Sequence, residues 1–265
     1  MDSLCWTLIN KNSYYIIQLV MRVIRGDGIM LTVNLERYSK LDFRSNEAYK
    51  TLRTNIQFCG SNIKQICFTS CLPNEGKSNV SFNTAVSFAE CGKRVVFVDA
   101  DLRRSIMIGR YKPDQAVQGL THYLCGQNSI EEILYSTNID NLDMIFTGFI
   151  PPNPAELLAS DYFIRLMELL REGYDYVIID SPPLGNVIDS AIIAEHCDGV
   201  VLVIESRVTN YRLAQKVVKQ LQVGNCRILG AVLNKVDEKS SSYKYYGKYY
   251  KKYENHYYQE DYSYV

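Results

Sequence analysis

From Lys64 onward the sequence alternates short, β-branched apolar runs with longer stretches of helical periodicity, the pattern of a mostly parallel sheet covered by helices on both faces. The expected strands are 65–69, 94–98, 142–146, 176–179, 200–204 and 228–233. Ahead of them, residues 46–57 read as an amphipathic helix, with Ala48, Leu52 and Ile56 on one face and Glu47, Lys50 and Arg53 toward the other. With 265 residues, 47% of them hydrophobic, the chain is long enough for one sizeable core. Its 29 basic and 29 acidic residues cancel, so no field draws in nucleic acid and none is expected as a partner. The eight cysteines include no C-x-x-C pair and lie mostly in apolar runs, which predicts reduced, buried thiols in a cytoplasmic protein.

Both ends differ from this middle. The apolar run from Tyr14 to Ile24 is broken by Gln18 and Arg22 and falls short of the ~20 residues that span a bilayer; residues 1–34 are expected to be a poorly ordered extension. From Glu238 to Tyr264 there is no Ile, Leu, Val, Met or Phe, but there are ten tyrosines. Such a segment buries too little aliphatic surface to offset its ordering entropy, so a disordered, mobile tail is expected over 238–265, leaving 35–237 as the folded domain.

The chemistry concentrates at strand ends. Ser70-Cys71-Leu72-Pro73-Asn74-Glu75-Gly76-Lys77-Ser78 follows a strand and opens a helix, as a Walker A phosphate loop does. Backbone N–H groups of Pro73 to Asn79, Pro73 itself excepted, would face phosphate oxygens, Lys77 would supply a cation to them, and Ser78 a magnesium ligand. Cys71 stands where the pattern has its first glycine. Val95-Val96-Phe97-Val98-Asp99-Ala100-Asp101-Leu102-Arg103 is an apolar strand ending in two carboxylates, and Tyr176-Val177-Ile178-Ile179-Asp180 has the form of a Walker B strand. Parallel strands end on one edge, so Lys77, Asp99, Asp101 and Asp180 are expected to converge on one crevice. A single carboxylate after a strand is usually a cap or turn residue, but three strand ends carrying the right groups are not explained that way.

Two other readings compete. Asn234-Lys235-Val236-Asp237 has the guanine-reading N-K-x-D form, yet Pro183 stands where such GTPases place a switch glycine, and Asn234 is instead a candidate adenine contact. A partition or division-site ATPase switch would carry a signature lysine four residues before Gly76, where this chain has Leu72. His122, His196 and His256 lack metal-ligand spacing and are assigned no chemistry.

With Glu47-Ala48-Tyr49-Lys50-Thr51-Leu52-Arg53, the three strand-end motifs, Gly148 with Pro151-Pro152-Asn153-Pro154, and the terminal tyrosines together, the sequence resembles the bacterial tyrosine kinases of capsular and exopolysaccharide gene clusters, in their stand-alone cytoplasmic form. The resemblance implies a P-loop NTPase fold and an ATP- and magnesium-dependent protein-tyrosine kinase. It implies Asp99 or Asp101 as the base, with Lys77 on the transferring group, and Ser78, Asp99 and Asp180 at the metal. It implies autophosphorylation, in trans, among Tyr243, Tyr245, Tyr246, Tyr249, Tyr250, Tyr253, Tyr257, Tyr258, Tyr262 and Tyr264. It further implies a ring-shaped homo-oligomer built through Glu47, Lys50 and Arg53, a membrane adaptor of the polysaccharide co-polymerase type holding the kinase at the inner face of the plasma membrane, and a cognate tyrosine phosphatase. The family has arginine where Lys50 stands, which forfeits a bidentate fork, and the tail has only Gly247 in place of a tyrosine-glycine repeat.

Overall fold

The computed structural model describes residues 30–236. The expected tyrosine tail and most of the N-terminal extension lie outside the described residues. Within them an eight-stranded sheet runs in the order β1-β4-β5-β3-β6-β2-β7-β8. Its strands are β1 (Leu31–Val33), β2 (Gln65–Ser70), β3 (Val95–Asp99), β4 (Leu134–Thr137), β5 (Leu142–Ile145), β6 (Tyr176–Asp180), β7 (Gly199–Glu205) and β8 (Ile228–Asn234). All neighbours pair in parallel except β4 with β5. Every residue of β2 and β3 is buried, which is why these strands read as unbroken apolar runs rather than alternating ones.

Because side chains alternate across a strand, neighbouring residues serve two different cores. Ile66 and Phe68 of β2, with Val95 and Phe97 of β3, face the layer of α1 (Phe43–Phe58), α2 (Lys77–Glu90) and α3 (Met107–Tyr111). Cys67, Val96 and Val98 face the opposite layer. That layer is built from α4 (Leu120–Leu124), α5 (Pro154–Leu158), α6 (Asp161–Gly173), α7 (Asp189–Glu195) and α8 (Tyr211–Val223). Phe82 of α2 packs edge-on to Phe97 and stacks on Tyr111, locking α2 and α3 to the sheet.

Three expectations need correction. The ordered chain begins before residue 35: the three residues of β1 pair with β4, and Val33 and Leu35 are buried, so the end of the supposed extension is an edge strand. The first helix starts at Phe43, capped by Asp42, which accepts from the Ser45 N–H at 3.1 Å. Its inward stripe is Tyr49, Leu52 and Ile56; Ala48 is exposed, since a residue one position earlier lies about 100° away around the helix. The seven described cysteines are all free, but Cys91 and Cys125 are exposed just past helix ends. The hairpin partner β4 was also unexpected from sequence: its four residues carry only one full alternation, and its turn relies on Asn141 at φ 63°.

The candidate active site

The phosphate loop springs from the end of β2 and runs straight into α2. Asn74 and Gly76 both take positive φ, 67° and 89°, which turns the chain back sharply before the helix. At Gly76 a Cβ would lie 2.1 Å from the Asn234 side-chain nitrogen, so no other residue fits. Cys71, by contrast, is not in a left-handed conformation, and glycine is not needed there. The close approach has moved to the facing segment, where a Cβ on Gly185 would meet the Cys71 carbonyl oxygen at 2.0 Å. Burial, then the nearby Glu75 charge, pushes the Cys71 thiol up to about 11, so it is inert packing rather than a nucleophile.

Among the described residues, none of the N–H groups of Asn74 through Ser78 has a protein acceptor. A run of free donors at the start of a 14-residue helix is the arrangement that receives phosphate oxygens. Beside it, the paired parallel strands place Asp99 directly across from Asp180, and Asp180 across from Phe68. Lys77 enters this gap: its Nζ stands 2.9 Å from Asp101 Oδ2, 3.5 Å from Asp180 Oδ2 and 3.2 Å from Ser78 Oγ. Burial pulls the Lys77 pKa down, but Asp180 and Asp101 more than reverse this, and the ammonium is held charged.

The carboxylates are not equivalent. Asp101 is tied to Lys77 and accepts from the Arg104 N–H at 3.0 Å. Asp99 is wholly buried; burial, then the like charge of Asp180, raises its pKa to about 7. Ser105 donates to Asp99 Oδ2, while Oδ1 is buried without a hydrogen-bond partner. Burial likewise raises Asp180, against the pull of Lys77 and of a hydrogen bond from Ser78. Thr147 on the segment after β5 donates to the Asp99 carbonyl at 2.8 Å, pinning the end of β3.

Three carboxylates facing one ammonium and one hydroxyl fit a small divalent cation. Among the described residues no three His, Cys, Asp or Glu side chains are placed to hold a metal by themselves. A divalent cation here would complete its shell with water and phosphate oxygens.

The remaining expected residues are placed as follows. Glu75 is 1% exposed and points away from the cradle, accepting from the Leu72 N–H at 2.7 Å, the Glu205 N–H at 3.2 Å and the Thr209 hydroxyl. Asn234 Nδ2 donates to the Glu75 carbonyl at 2.9 Å. Asn79 is engaged by Arg110 at 3.1 Å and contacts the Tyr49 hydroxyl at 3.5 Å, so α1 and α3 hold its side chain. Lys50 pairs with Glu47 at 2.7 Å along one helix face. Arg53 is already committed within its own chain, donating to the Ser87 carbonyl at 2.6 Å, with its Nε buried and unpartnered.

Sequence reasoning missed one pair of consequence. Arg103 grips the fully buried Asp189 through two bonds, Nε–Oδ2 at 2.7 Å and Nη2–Oδ1 at 2.9 Å. This fork ties the segment after β3 to the start of α7, which follows the Asp180 strand end. Arg103 was legible as part of its motif; Asp189 sits in a stretch without periodicity and gave no signal.

Fold and site together define a P-loop protein with two carboxylate-bearing strands beside the loop. The AAA domain family model matches residues 64–225. Tyrosine-protein kinase CpsD of Streptococcus agalactiae is 39% identical over 206 residues, covering 78% of this chain and 90% of that protein. Among solved structures, the kinase domain of Escherichia coli tyrosine kinase ETK matches with a TM-score of 0.72 at 27% identity, over 82% of this chain and 94% of that one. The septum site-determining protein MinD of Pyrococcus horikoshii, solved with Mg-ADP, matches with a TM-score of 0.56 at 23% identity, over 67% of this chain and 72% of that one. The latter is a likeness of fold alone. The chain belongs to the AAA-domain tyrosine-protein kinases that include CpsD.

Proposed function

We infer that this chain transfers the γ-phosphoryl group of ATP to tyrosine hydroxyls of its own C-terminal segment, acting in trans within a ring-shaped homo-oligomer, and thereby regulates capsular or exopolysaccharide synthesis and export. The observation that carries the reading is Asp99: a buried carboxyl whose pKa is raised to about 7, facing Lys77 beside a cradle of N–H donors that have no protein acceptor among the described residues. A tyrosine hydroxyl has a pKa of about 10 and needs a proton acceptor to attack at neutral pH, and a carboxylate that titrates near 7 is matched to that task. Asp99 would take the proton, Lys77 would offset charge on the transferring group, and Asp101 would hold Lys77 in place. Ser78, Asp99 and Asp180 would hold magnesium, which when bound neutralises phosphate charge.

β8 ends against the phosphate loop, where Asn234 reaches the Glu75 carbonyl. Asn234 would contact adenine with its remaining amide atoms. Each phosphate adds about −1.5 to −2 of charge, so a heavily modified segment would repel its copies and loosen the ring. A membrane adaptor of the co-polymerase type would dock and activate the kinase at the inner face of the plasma membrane, and a phosphatase would reset it. Among the described residues no helix is long and apolar enough to cross a membrane.

Incubation with ATP and magnesium, with and without the cytoplasmic segment of a cognate adaptor, tests this by intact mass and peptide spectrometry. Phosphotyrosine among Tyr243 to Tyr264, absent from Lys77→Met, is the expected result. ATP hydrolysis without phosphotyrosine under either condition would sink it in favour of a nucleotide-switch ATPase.

A further inference from the structure

The Asn234-Lys235 pair, which suggests a base-reading motif in the sequence, makes a different set of contacts in the structure. Lys235 Nζ donates to the Asn74 carbonyl at 2.7 Å and to Glu205 Oε2 at 2.9 Å, while Asn234 Nδ2 takes the next carbonyl, that of Glu75. A trans peptide unit points its C=O and its N–H in opposite directions, and the described chain has no cis bonds. Drawing the Asn74 and Glu75 carbonyls toward β8 therefore turns the Glu75 and Gly76 N–H groups the other way, into the phosphate cradle. Asn74 and Lys235 both hold left-handed backbone conformations, φ 67° and 54°, which residues other than glycine seldom adopt unless their surroundings hold them. Glu75 reinforces the clamp from below, its buried carboxylate gripping Leu72 on one side and the Glu205–Thr209 turn on the other.

We propose that Lys235 is a positioning residue for the kinase reaction: by holding the Asn74 carbonyl it aims the loop's N–H groups at phosphate, so the last residues before the tyrosine segment set nucleotide affinity. The proposal rests on the nucleotide-binding reading above. The bland alternative is an ordinary surface ion pair, for Lys235 is 48% exposed, and such a pair contributes little. The two differ in what they predict for the loop.

The test titrates MgADP into the full-length chain by calorimetry, and measures KM for ATP and kcat beside it. Loss of a charged hydrogen bond that shapes the cradle should raise the dissociation constant and KM of Lys235→Met about tenfold, with kcat within about twofold and the ligand-free melting temperature unmoved. Lys235→Arg, which keeps a donor, should recover most of the affinity; Glu205→Gln, which removes only the ion pair, should cost little. Lys235→Met within twofold of wild type, an arginine variant as weak as the methionine one, or a loss matched by a fall in melting temperature would each overturn the proposal. Wild-type protein that binds no MgADP would overturn the nucleotide reading itself, and is told apart from these by its own titration.

Discussion

The two walls of the crevice are built on opposite principles. On the wall formed by β3 and β6, function depends on side chains: Lys77, Asp99, Asp101 and Asp180 are crowded, buried and mutually perturbed, with one carboxylate oxygen left unpartnered. On the wall formed by β7 and β8, side chains mainly hold backbone: Asn234 and Lys235 grip carbonyls of the loop, and Glu75 grips N–H groups. The first wall stores unfavourable electrostatics and does the proton and charge chemistry; the second stores a backbone shape and sets binding. Substitutions on the first should therefore lower kcat, and those on the second should raise KM.

Lys77→Met should show the largest effect, since it removes the one ammonium that faces three carboxylates. Phosphotyrosine formation, followed by quantitative mass spectrometry, should fall by about 10³-fold or more, at the upper end of what a single charge-stabilising group contributes. Asp99→Asn should follow, at about 10²-fold in kcat. In the wild type kcat/KM should climb with pH through the Asp99 titration near 7, and that limb should vanish in the variant. Stability supplies an independent check. Because the folded pKa of Asp99 lies above the ordinary carboxyl value of 3.8, its favourable contribution is full below 3.8 and is lost as pH rises through about 7. Asp99→Asn should thus raise the melting temperature of ligand-free protein at pH 8 and leave it nearly unchanged at pH 4.

Arg103→Lys gives a smaller effect on the same wall. A lysine reaches Asp189 with one donor instead of a fork, and about a fivefold to tenfold drop in kcat with little change in KM is expected from steady-state phosphorylation. A change in KM alone would show that the fork belongs with the binding wall instead. The smallest effect falls on the loop itself. Cys71→Gly restores the general Walker A pattern but adds backbone freedom where none is used, and should weaken MgADP by about twofold to threefold in calorimetry.

Legibility in the sequence also divides along these walls. Strands buried on both faces and ending in aspartate write themselves as apolar runs followed by Asp, so β3, β6, Asp99, Asp101 and Asp180 were plain, as were the loop and Lys77. The clamp was visible as residues but not as contacts, because a motif records which side chains are present and not which backbone atoms they reach. Asp189 was invisible, since its partner Arg103 lies 86 positions away and neither sits in a periodic segment. Strands β1 and β4 escaped because runs of three and four residues, β1 at the edge of the sheet and β4 next to it, are only partly buried and too short to show the double burial that made the central strands obvious. Ala48 was misplaced because alanine satisfies either face of a helix, whereas the ring of Tyr49 packs against the core and marks the true stripe.

The strand order has a consequence in time. A ribosome delivers β2 and its phosphate loop early, but β2 lies between β6 and β7, its Phe68 opposite Asp180 and its Ser70 opposite Val203. The last grip on the loop comes from Lys235. Pairings this distant along a chain form slowly and late. A nascent chain therefore carries the loop through most of its synthesis without the walls that shape it, and nucleotide can lend its binding energy to folding only when the final strand has left the exit tunnel.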